Sequence, residues 1–489
     1  MLDFMTLCDG YKLDHRRQYP SGTTAVYSNF TARSSRVPGI NKVVFFGLRY
    51  FLERYLEKVA RETFFDRPRS EVLAKYQALL DGYLGPNPIG TDHIGALHEL
   101  GYIPLKFWSV PEGTLVPLRV PMLTWQNTLP EFYWLTNYIE TLLSTCLWPT
   151  CTSATTALRY RTLLEKYGEH SGIDLNFVDW QAHDFSFRGM MFPEAAALSG
   201  LAHLTSFRGT DCLPALQIAQ AYYDHEGAAG GSVPATEHAV MCAGAKECEL
   251  ETFSRILDLY PSGAVSVVSD TWDLWHVHTD ILPKLKERIL ARGGKLVIRP
   301  DSGNPVDILC GDPTAKQGTP QAKGVVELLW DIFGGRETVK SFRELDSHIG
   351  ALYGDSITVE RAEEICRRLI EKGFATSNVV LGVGSFTYQH VTRDTYGFAV
   401  KATWSKINGE ERLLFKDPVT DDGVKKSAIG RFVVHKGADG LTLKDGLTEA
   451  QQRIEGDHLN NQLQLVWEDG DWHRHQTLND IRRLIREQR

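Results

Sequence analysis

The sequence predicts an α/β protein, with a parallel β/α layer or barrel in the middle of the chain and a β-rich second domain built from both chain ends. Three observations carry this. Apolar, largely β-branched runs recur between residues 264 and 385: AVSVVSD (264–270), KLVIRPD (295–301), IGALYGD (349–355) and NVVLGVGS (378–385). Helix-like segments separate them, and strand, polar tip, helix, repeated, is how parallel β/α units read. The flanking thirds instead hold short β-like runs, and 489 residues are too many for one ordinary core. The expected division is therefore 1–150 and 386–489 for the β-rich domain, with 151–385 forming the β/α unit.

In the N-terminal third, TTAVYSNF (23–30), KVVFFGL (42–48) and IPLKFWSV (103–110) have strand character. SVPEGTLVPLRVPMLTW (109–125) sets prolines among alternating apolar residues, the mark of edge strands and turns, because proline donates no ladder hydrogen bond. Between Phe132 and Trp148, Leu135, Tyr138, Ile139, Leu142, Leu143 and Cys146 recur at helical spacing, and Asn137 and Glu140 interrupt the apolar run. A buried amphipathic helix is expected there rather than a membrane span. Of the central runs, the first three end on an acid and the last on a Gly-rich turn; Val359–Gly373 reads as a helix finished by a glycine cap. Parallel β/α folds gather functional groups at the C-terminal ends of strands. Ser269, Asp270, Arg299, Asp301, Gly354, Asp355, Gly382 and Gly384 would then share one rim, although an acid at a strand end can also simply cap the next helix. The last hundred residues turn β-like and basic again (YGFAVKATWSK, RLLFKDP, RFVVHK) and are expected to rejoin the N-terminal domain.

A net charge of −8 argues against a general binder of nucleic acid or of acidic membranes, so phosphate chemistry must rely on local basic residues. The cysteines, Cys8, Cys146, Cys151, Cys212, Cys242, Cys248, Cys310 and Cys366, include no CxxC pair, which fits reduced cytosolic thiols rather than a disulfide framework or zinc site. The opening MLDFMTLCDGYKLDH meets an Asp at its third residue and lacks a long apolar stretch; no signal peptide is expected, and a soluble, cytoplasmic protein is.

Particular stretches bear on chemistry. LGVGSFT sets Gly382, Gly384 and Ser385 between a strand and a helix, where small residues let backbone N–H groups approach a phosphate. IRPDSGNP projects Arg299 and Asp301 from a strand end, offering an anion clamp and a ribose-hydroxyl acceptor; a plain salt bridge is the alternative. SVPATEHAVM (232–241) puts Glu237 beside His238 after a Gly-rich stretch and a proline, and on its own reads as a solvated polar pair at a helix start.

Together, DGYKLDHRRQYP (9–20), HDFSFRG (183–189), FRGTD (207–211), SVPATEH (232–238), SVVSD (266–270), IRPDSGNP (298–305), YGD (353–355), TRD (392–394) and FKDP (415–418) resemble, in kind and order, the motifs of the nicotinamide phosphoribosyltransferase family. The resemblance covers essentially the whole chain. It implies a type II phosphoribosyltransferase: an irregular β/α barrel beside a β-rich domain, joining nicotinamide to phosphoribosyl pyrophosphate (PRPP) in NAD salvage. The implied products are nicotinamide mononucleotide and pyrophosphate. It further implies a homodimer with active sites across the interface, Mg2+ held mainly by PRPP or pyrophosphate near Asp270 and Asp301, and ATP hydrolysis coupled through phosphorylation of His238, with Glu237 in support.

By the same resemblance Arg33, Arg393, Lys401 and Lys416 surround PRPP phosphates, some from the partner subunit. Asp270 and Asp301 lie near the ribose, and Gly354, Asp355, Gly384 and Ser385 hold the nucleotide end. Phe185 and Tyr11 of the partner subunit sandwich the pyridine ring, with Arg299 beside it and Asp211 at the carboxamide. Asp9, Arg188, Ser232 and Ser266 complete the substrate-binding set. The chain departs from the family pattern at Ala239, where a serine usually follows the histidine, at Ser186-Phe187, where Gly-Tyr is usual, and in the short polar segment from Arg33 to Lys42.

Ribosyl transfer develops positive charge on the sugar and negative charge on the departing pyrophosphate. The pyridine nitrogen is already a free nucleophile, so positioning and electrostatics are expected to dominate. The alternatives are nicotinate phosphoribosyltransferase, with Asp211 as the discriminator, and a non-catalytic metabolite-binding homologue, against which the intact Arg299, Asp301, Asp270, His238 and Arg393 speak. A type I phosphoribosyltransferase is disfavoured because no β-branched run leads into an acidic pair followed by Thr-Gly.

Overall fold

The computed structural model describes residues 2–354, 356–415, 428–438 and 440–489; Asp355 and Lys416 lie outside these. In chain order the strands of the two main sheets are β1 (Thr23–Ala32), β2 (Leu105–Ser109), β3 (Pro121–Asn127), β4 (Ala182–Asp184), β5 (Gly209–Thr210), β6 (Val265–Val268), β7 (Leu296–Arg299), β8 (Ile349–Tyr353), β9 (Val379–Val383), β10 (Phe398–Ile407), β11 (Glu410–Leu413), β12 (Gln464–Glu468) and β13 (Asp471–Trp472). Contacts divide the chain into two compact units. One comprises Met1–Thr155, Ala221–His225 and Val391–Arg489; the other comprises Thr156–Gln220 and Glu226–His390.

The first unit is organised on an antiparallel sheet of order β11-β10-β1-β3-β2-β12-β13, so strands from both chain ends interleave. Trp125, Trp404 and Trp467 are fully buried, and Phe30 stacks on Phe398 with ring centres 5.1 Å apart across the β1–β10 pair. The single helix expected over Phe132–Trp148 is corrected. A turn of 3-10 helix (Pro130–Phe132) and a short helix (Leu135–Tyr138) precede a long one that begins at Glu140 and passes through Pro149 to Ser171. Proline inside a helix removes a donor and opposes the carbonyl four residues back. Here the Thr150 hydroxyl bonds the Cys146 and Leu147 carbonyls at 3.1 and 2.9 Å, and the Thr152 hydroxyl bonds that of Trp148 at 2.6 Å, holding the turn together.

The second unit carries a parallel sheet of order β5-β4-β9-β8-β7-β6. Four of its strands are the predicted apolar runs. The other two, β4 and β5, hold three and two residues, too few to show a period in sequence. The segment 231–236 bonds both open edges. Thr210 N–H donates to the Gly231 carbonyl (3.0 Å) and Gly231 N–H to that of Arg208 (2.8 Å); Thr236 N–H donates to the Ser266 carbonyl (3.0 Å) and Ser266 N–H to that of Pro234 (2.8 Å). The ring is thus closed by a bent segment where a regular barrel has strands, which is the irregular barrel expected.

Parallel strands are covered on both faces, and every residue of β6 and β8 is buried. The helix Val359–Glu371 covers this core with Ala362, Ile365, Cys366 and Leu369, spaced at three and four residues. Full burial of an Ile or Leu side chain contributes about 1.5–3 kcal/mol. Thr358 caps its start by accepting from Arg361 N–H (3.2 Å), and Gly373, at φ +75°, ends it as predicted. All eight cysteines are described and none forms a disulfide. Among the described residues no helix is long and apolar enough to cross a membrane.

Gly382 on β9 has no room for a side chain: a Cβ would lie 2.6 Å from the Tyr353 carbonyl oxygen and 2.8 Å from the Phe185 ring. Gly382→Ala is expected to cost about 1–3 kcal/mol of stability by overpacking, read as a lower urea midpoint. An unchanged midpoint would show that β8 and β9 separate freely here.

Candidate active site

The C-terminal ends of β6 and β7 bring a histidine and two carboxyl groups together. His238 begins the short helix His238–Cys242 just past the ring-closing segment. Its Nε2 lies 3.4 Å from Asp270 Oδ1 and 3.6 Å from Asp301 Oδ1. The backbone aligns the two acids: Asp301 N–H (3.0 Å), Ser302 N–H (2.8 Å) and the Ser302 hydroxyl (2.5 Å) all donate to Asp270 Oδ2. Burial acts to raise the Asp270 carboxyl, but Ser302, Asp301 N–H and His238 overcome it and hold it below the usual range. Asp301 is pushed up, first by burial and then by the Asp270 charge. Two neighbouring carboxylates driven in opposite directions behave as one coupled acid pair. Glu237 is exposed and, among the described residues, bonds neither His238 nor any other side chain.

Arg299, at the end of β7, donates to the Thr236 carbonyl at 2.5 Å and sits 5.9 Å from the Phe185 ring centre. Burial lowers its pKa, opposed by Asp301 and Asp211. Phe185 follows β4 and is fixed by its N–H to the Val383 carbonyl (2.9 Å) and by the His183 ring, 4.5 Å away. His183 Nε2 lies 2.9 Å from Asp211 Oδ1. Burial acts to raise the Asp211 carboxyl; hydrogen bonds from His183 and Ser232, and the charges of His183 and Arg299, outweigh it and keep it below the usual range. Phe185, exposed Arg188 and Asp211 line a cleft of about 490 Å³ whose remaining wall is largely Phe187, Met190, Met191 and Phe192. Ser266 is buried with its hydroxyl unpartnered. Gly354 packs where a Cβ would be 3.3 Å from Asp301 Cβ, and Gly384 precedes the short helix opened by Ser385.

The remaining expected residues belong to the other unit. Tyr11 is 64% exposed, on a turn anchored by the buried Lys12–Glu140 ion pair (2.8 Å) and by Thr141 donating to Asp9 Oδ2 (2.6 Å). Arg33 and Lys401 line one small cleft, and Arg393 is exposed beside Asp394.

Comparison with known proteins agrees along the chain. The family described as "Nicotinate phosphoribosyltransferase (NAPRTase) family" matches residues 180–467, and "Nicotinamide phosphoribosyltransferase, N-terminal domain" matches residues 3–89. A nicotinamide phosphoribosyltransferase of Acinetobacter baylyi is 50% identical over 492 residues, covering 98% of this chain and 96% of that one. The chain belongs to the nicotinamide phosphoribosyltransferase family. A nicotinamide phosphoribosyltransferase of Mycoplasma pneumoniae is 36% identical, covering 88% of this chain and 95% of its own. The solved nicotinate-nucleotide pyrophosphorylase of Pyrococcus furiosus superposes with a TM-score of 0.56 at 15% identity, covering 99% and 95% of the two chains, a likeness of fold.

For a nicotinamide phosphoribosyltransferase family member, the site's own geometry adds residues that sequence reading left without a role. His183 stands in the HDFSFRG motif, but its pairing with Asp211 depends on β4 lying beside β5. Ser302 follows Asp301 directly, and only the fold aims it at Asp270. His238, Asp270 and Asp301 each offer a ligand atom, all within 4.8 Å of one another, and Asp270 Oδ1 is buried with no hydrogen-bond partner. Hard carboxylate oxygens with an unsatisfied buried lone pair fit Mg2+.

Because the folded state raises Asp301 above its unfolded value, it binds that proton better than the unfolded chain does. The cost of ionising Asp301 is therefore complete above the folded value and disappears as pH falls through it toward the ordinary Asp range. Asp301→Asn should accordingly be more stable than the parent at pH 7, with the gain shrinking toward pH 3. Urea unfolding across that range checks the sign; a gain that grows as pH falls would reverse it.

Proposed function

We propose that this chain transfers the phosphoribosyl group of PRPP to nicotinamide, giving nicotinamide mononucleotide and pyrophosphate in NAD salvage. The observation that carries this reading is the Asp211 carboxylate, kept ionised and held by His183 in the Phe185 cleft of a chain half identical to a nicotinamide phosphoribosyltransferase. An ionised carboxylate only accepts hydrogen bonds. It can take one from a carboxamide NH2, whereas a nicotinate carboxylate would meet like charge in a partly dry pocket.

In this reading Phe185 orients the flat ring from one side and Tyr11 of the partner subunit from the other, in a cytoplasmic homodimer. Arg299 lies beside the ring, and the Asp270–Asp301 pair faces the ribose, where positive charge develops. Arg33, Arg393, Lys401 and Lys416 hold phosphates, and positioning and charge supply the catalysis. Mg2+ held near Asp270 and Asp301 would neutralise charge on the leaving pyrophosphate. His238, 3.4 Å from Asp270, is the residue that ATP would phosphorylate, which would place new negative charge at this rim.

The first test is product formation from PRPP with nicotinamide or nicotinate. Sites built around a specific polar group reject a mismatched analogue by roughly 10⁴-fold, so kcat/KM should favour nicotinamide by about that factor. Asp211→Asn should narrow the gap, mainly by admitting nicotinate. Equal use of both substrates, or an unchanged ratio in the variant, would remove Asp211 from the selectivity.

His238→Ala is expected to abolish ATP hydrolysis and ATP stimulation yet leave slow PRPP-dependent synthesis, since this histidine does not attack the sugar. ATP stimulation surviving intact would contradict the phosphohistidine role.

A further inference from the structure

We infer that Arg119 is an additional binding residue for the terminal phosphate of a polyphosphate, completing a three-cation cleft with Arg33 and Lys401. The inference rests on the reading above that Arg33 and Lys401 hold phosphates.

The sheet register assembles the cleft. Side chains alternate between faces along a strand, so Asn29 and Thr31 of β1 share one face. Directly opposite them on β10 stand Lys401 and Ala399. All four line the cleft, with Arg33 just beyond the end of β1. On the other side of β1, Thr31 pairs with Pro121 of β3. Two residues earlier lies Arg119, whose N–H donates to the Ala32 carbonyl at 2.7 Å and which lines the same cleft.

The backbone at Arg119 is the independent sign. Pro117–Val120 is a turn closed by Val120 N–H donating to the Pro117 carbonyl at 3.2 Å, with Arg119 in third place at φ +70°. Positive φ at that place is the type II signature, and its usual occupant is Gly or Asn. A long side chain there keeps a strained backbone, and such strain clusters where the residue has a task. The task is electrostatic. Among the described residues the cleft is lined by Arg33, Arg119 and Lys401 and by no carboxylate. Among the described residues Arg33 spends its Nε on the Gly397 carbonyl (3.3 Å), and the exposed Arg119 guanidinium has no partner. The cleft measures about 20 Å³, room for about one water-sized group. It would therefore take the outer oxygen of a phosphate rather than a whole ligand.

The test titrates inorganic pyrophosphate and, separately, ATP into the full-length protein and into Arg119→Gly, Arg119→Asn and Arg119→Lys. Gly and Asn suit the turn, so their thermal midpoints should be at or above the parent's. A charge-assisted hydrogen bond is worth about tenfold or more in affinity. Gly and Asn should therefore weaken binding about tenfold, with Lys retaining most of it. An effect on pyrophosphate assigns Arg119 to the PRPP end, and one on ATP alone to the ATP phosphates; either supports the cleft. Binding of both anions within twofold of the parent in the Gly and Asn variants would overturn the role of Arg119 while leaving the phosphate reading standing. Failure of the unaltered protein to bind either anion would overturn both.

Discussion

The backbone hydrogen bonds that tie residues 231–236 to both edges of the parallel sheet are the constraint on which the candidate site depends. An open parallel sheet presents unpaired N–H and C=O groups at each edge. Here one short segment satisfies both. Gly231 serves β5 through its N–H and its carbonyl, and Pro234 serves β6 through its carbonyl alone, since proline has no N–H to place. Gly230 precedes the segment where a Cβ would be 2.5 Å from the Arg208 carbonyl, so the approach admits no side chain. Closing the ring this way carries Ser232 to Asp211 and His238 to Asp270 without a helix or a regular strand between.

Within the ring, the electrostatics are set by unequal environments for chemically similar groups. Asp270 receives two backbone N–H groups and a hydroxyl on one oxygen, so its charge is stabilised. Asp301 contributes one of those N–H groups, and its own carboxyl faces the charge thus formed. Asp211 has His183 as a neighbour and Arg299 within electrostatic reach, and is held ionised. A site whose donors are aimed before substrate arrives needs little reorganisation when charge develops. Packing supports this, because Gly382 lets Phe185 lie against β8 and β9, and Gly354 leaves room for Arg299 and Asp301.

The four long strands of the parallel sheet were legible because each is an apolar run ending in a polar or glycine tip, and the helix Val359–Glu371 because its apolar residues keep a 3.6 period between a threonine cap and a glycine stop. β4 and β5 were not, since three and two residues carry no period; their motifs announced them only through family resemblance. The long helix past Pro149 was missed for a different reason. Proline argues locally for a stop, and threonine hydroxyls further along hold the turn.

What the sequence determined by itself was therefore the kind of fold, the family and the residues that gather at the strand ends, because these follow from local period and from motif order. What only the tertiary structure decided was who meets whom. His183 reaches Asp211, Ser302 reaches Asp270, and Arg119 joins Arg33 and Lys401 because strands distant in the chain pair in a particular register. Register is a cooperative property of the whole sheet: a shift by one residue would turn strand residues such as His183 and Lys401 to the opposite face.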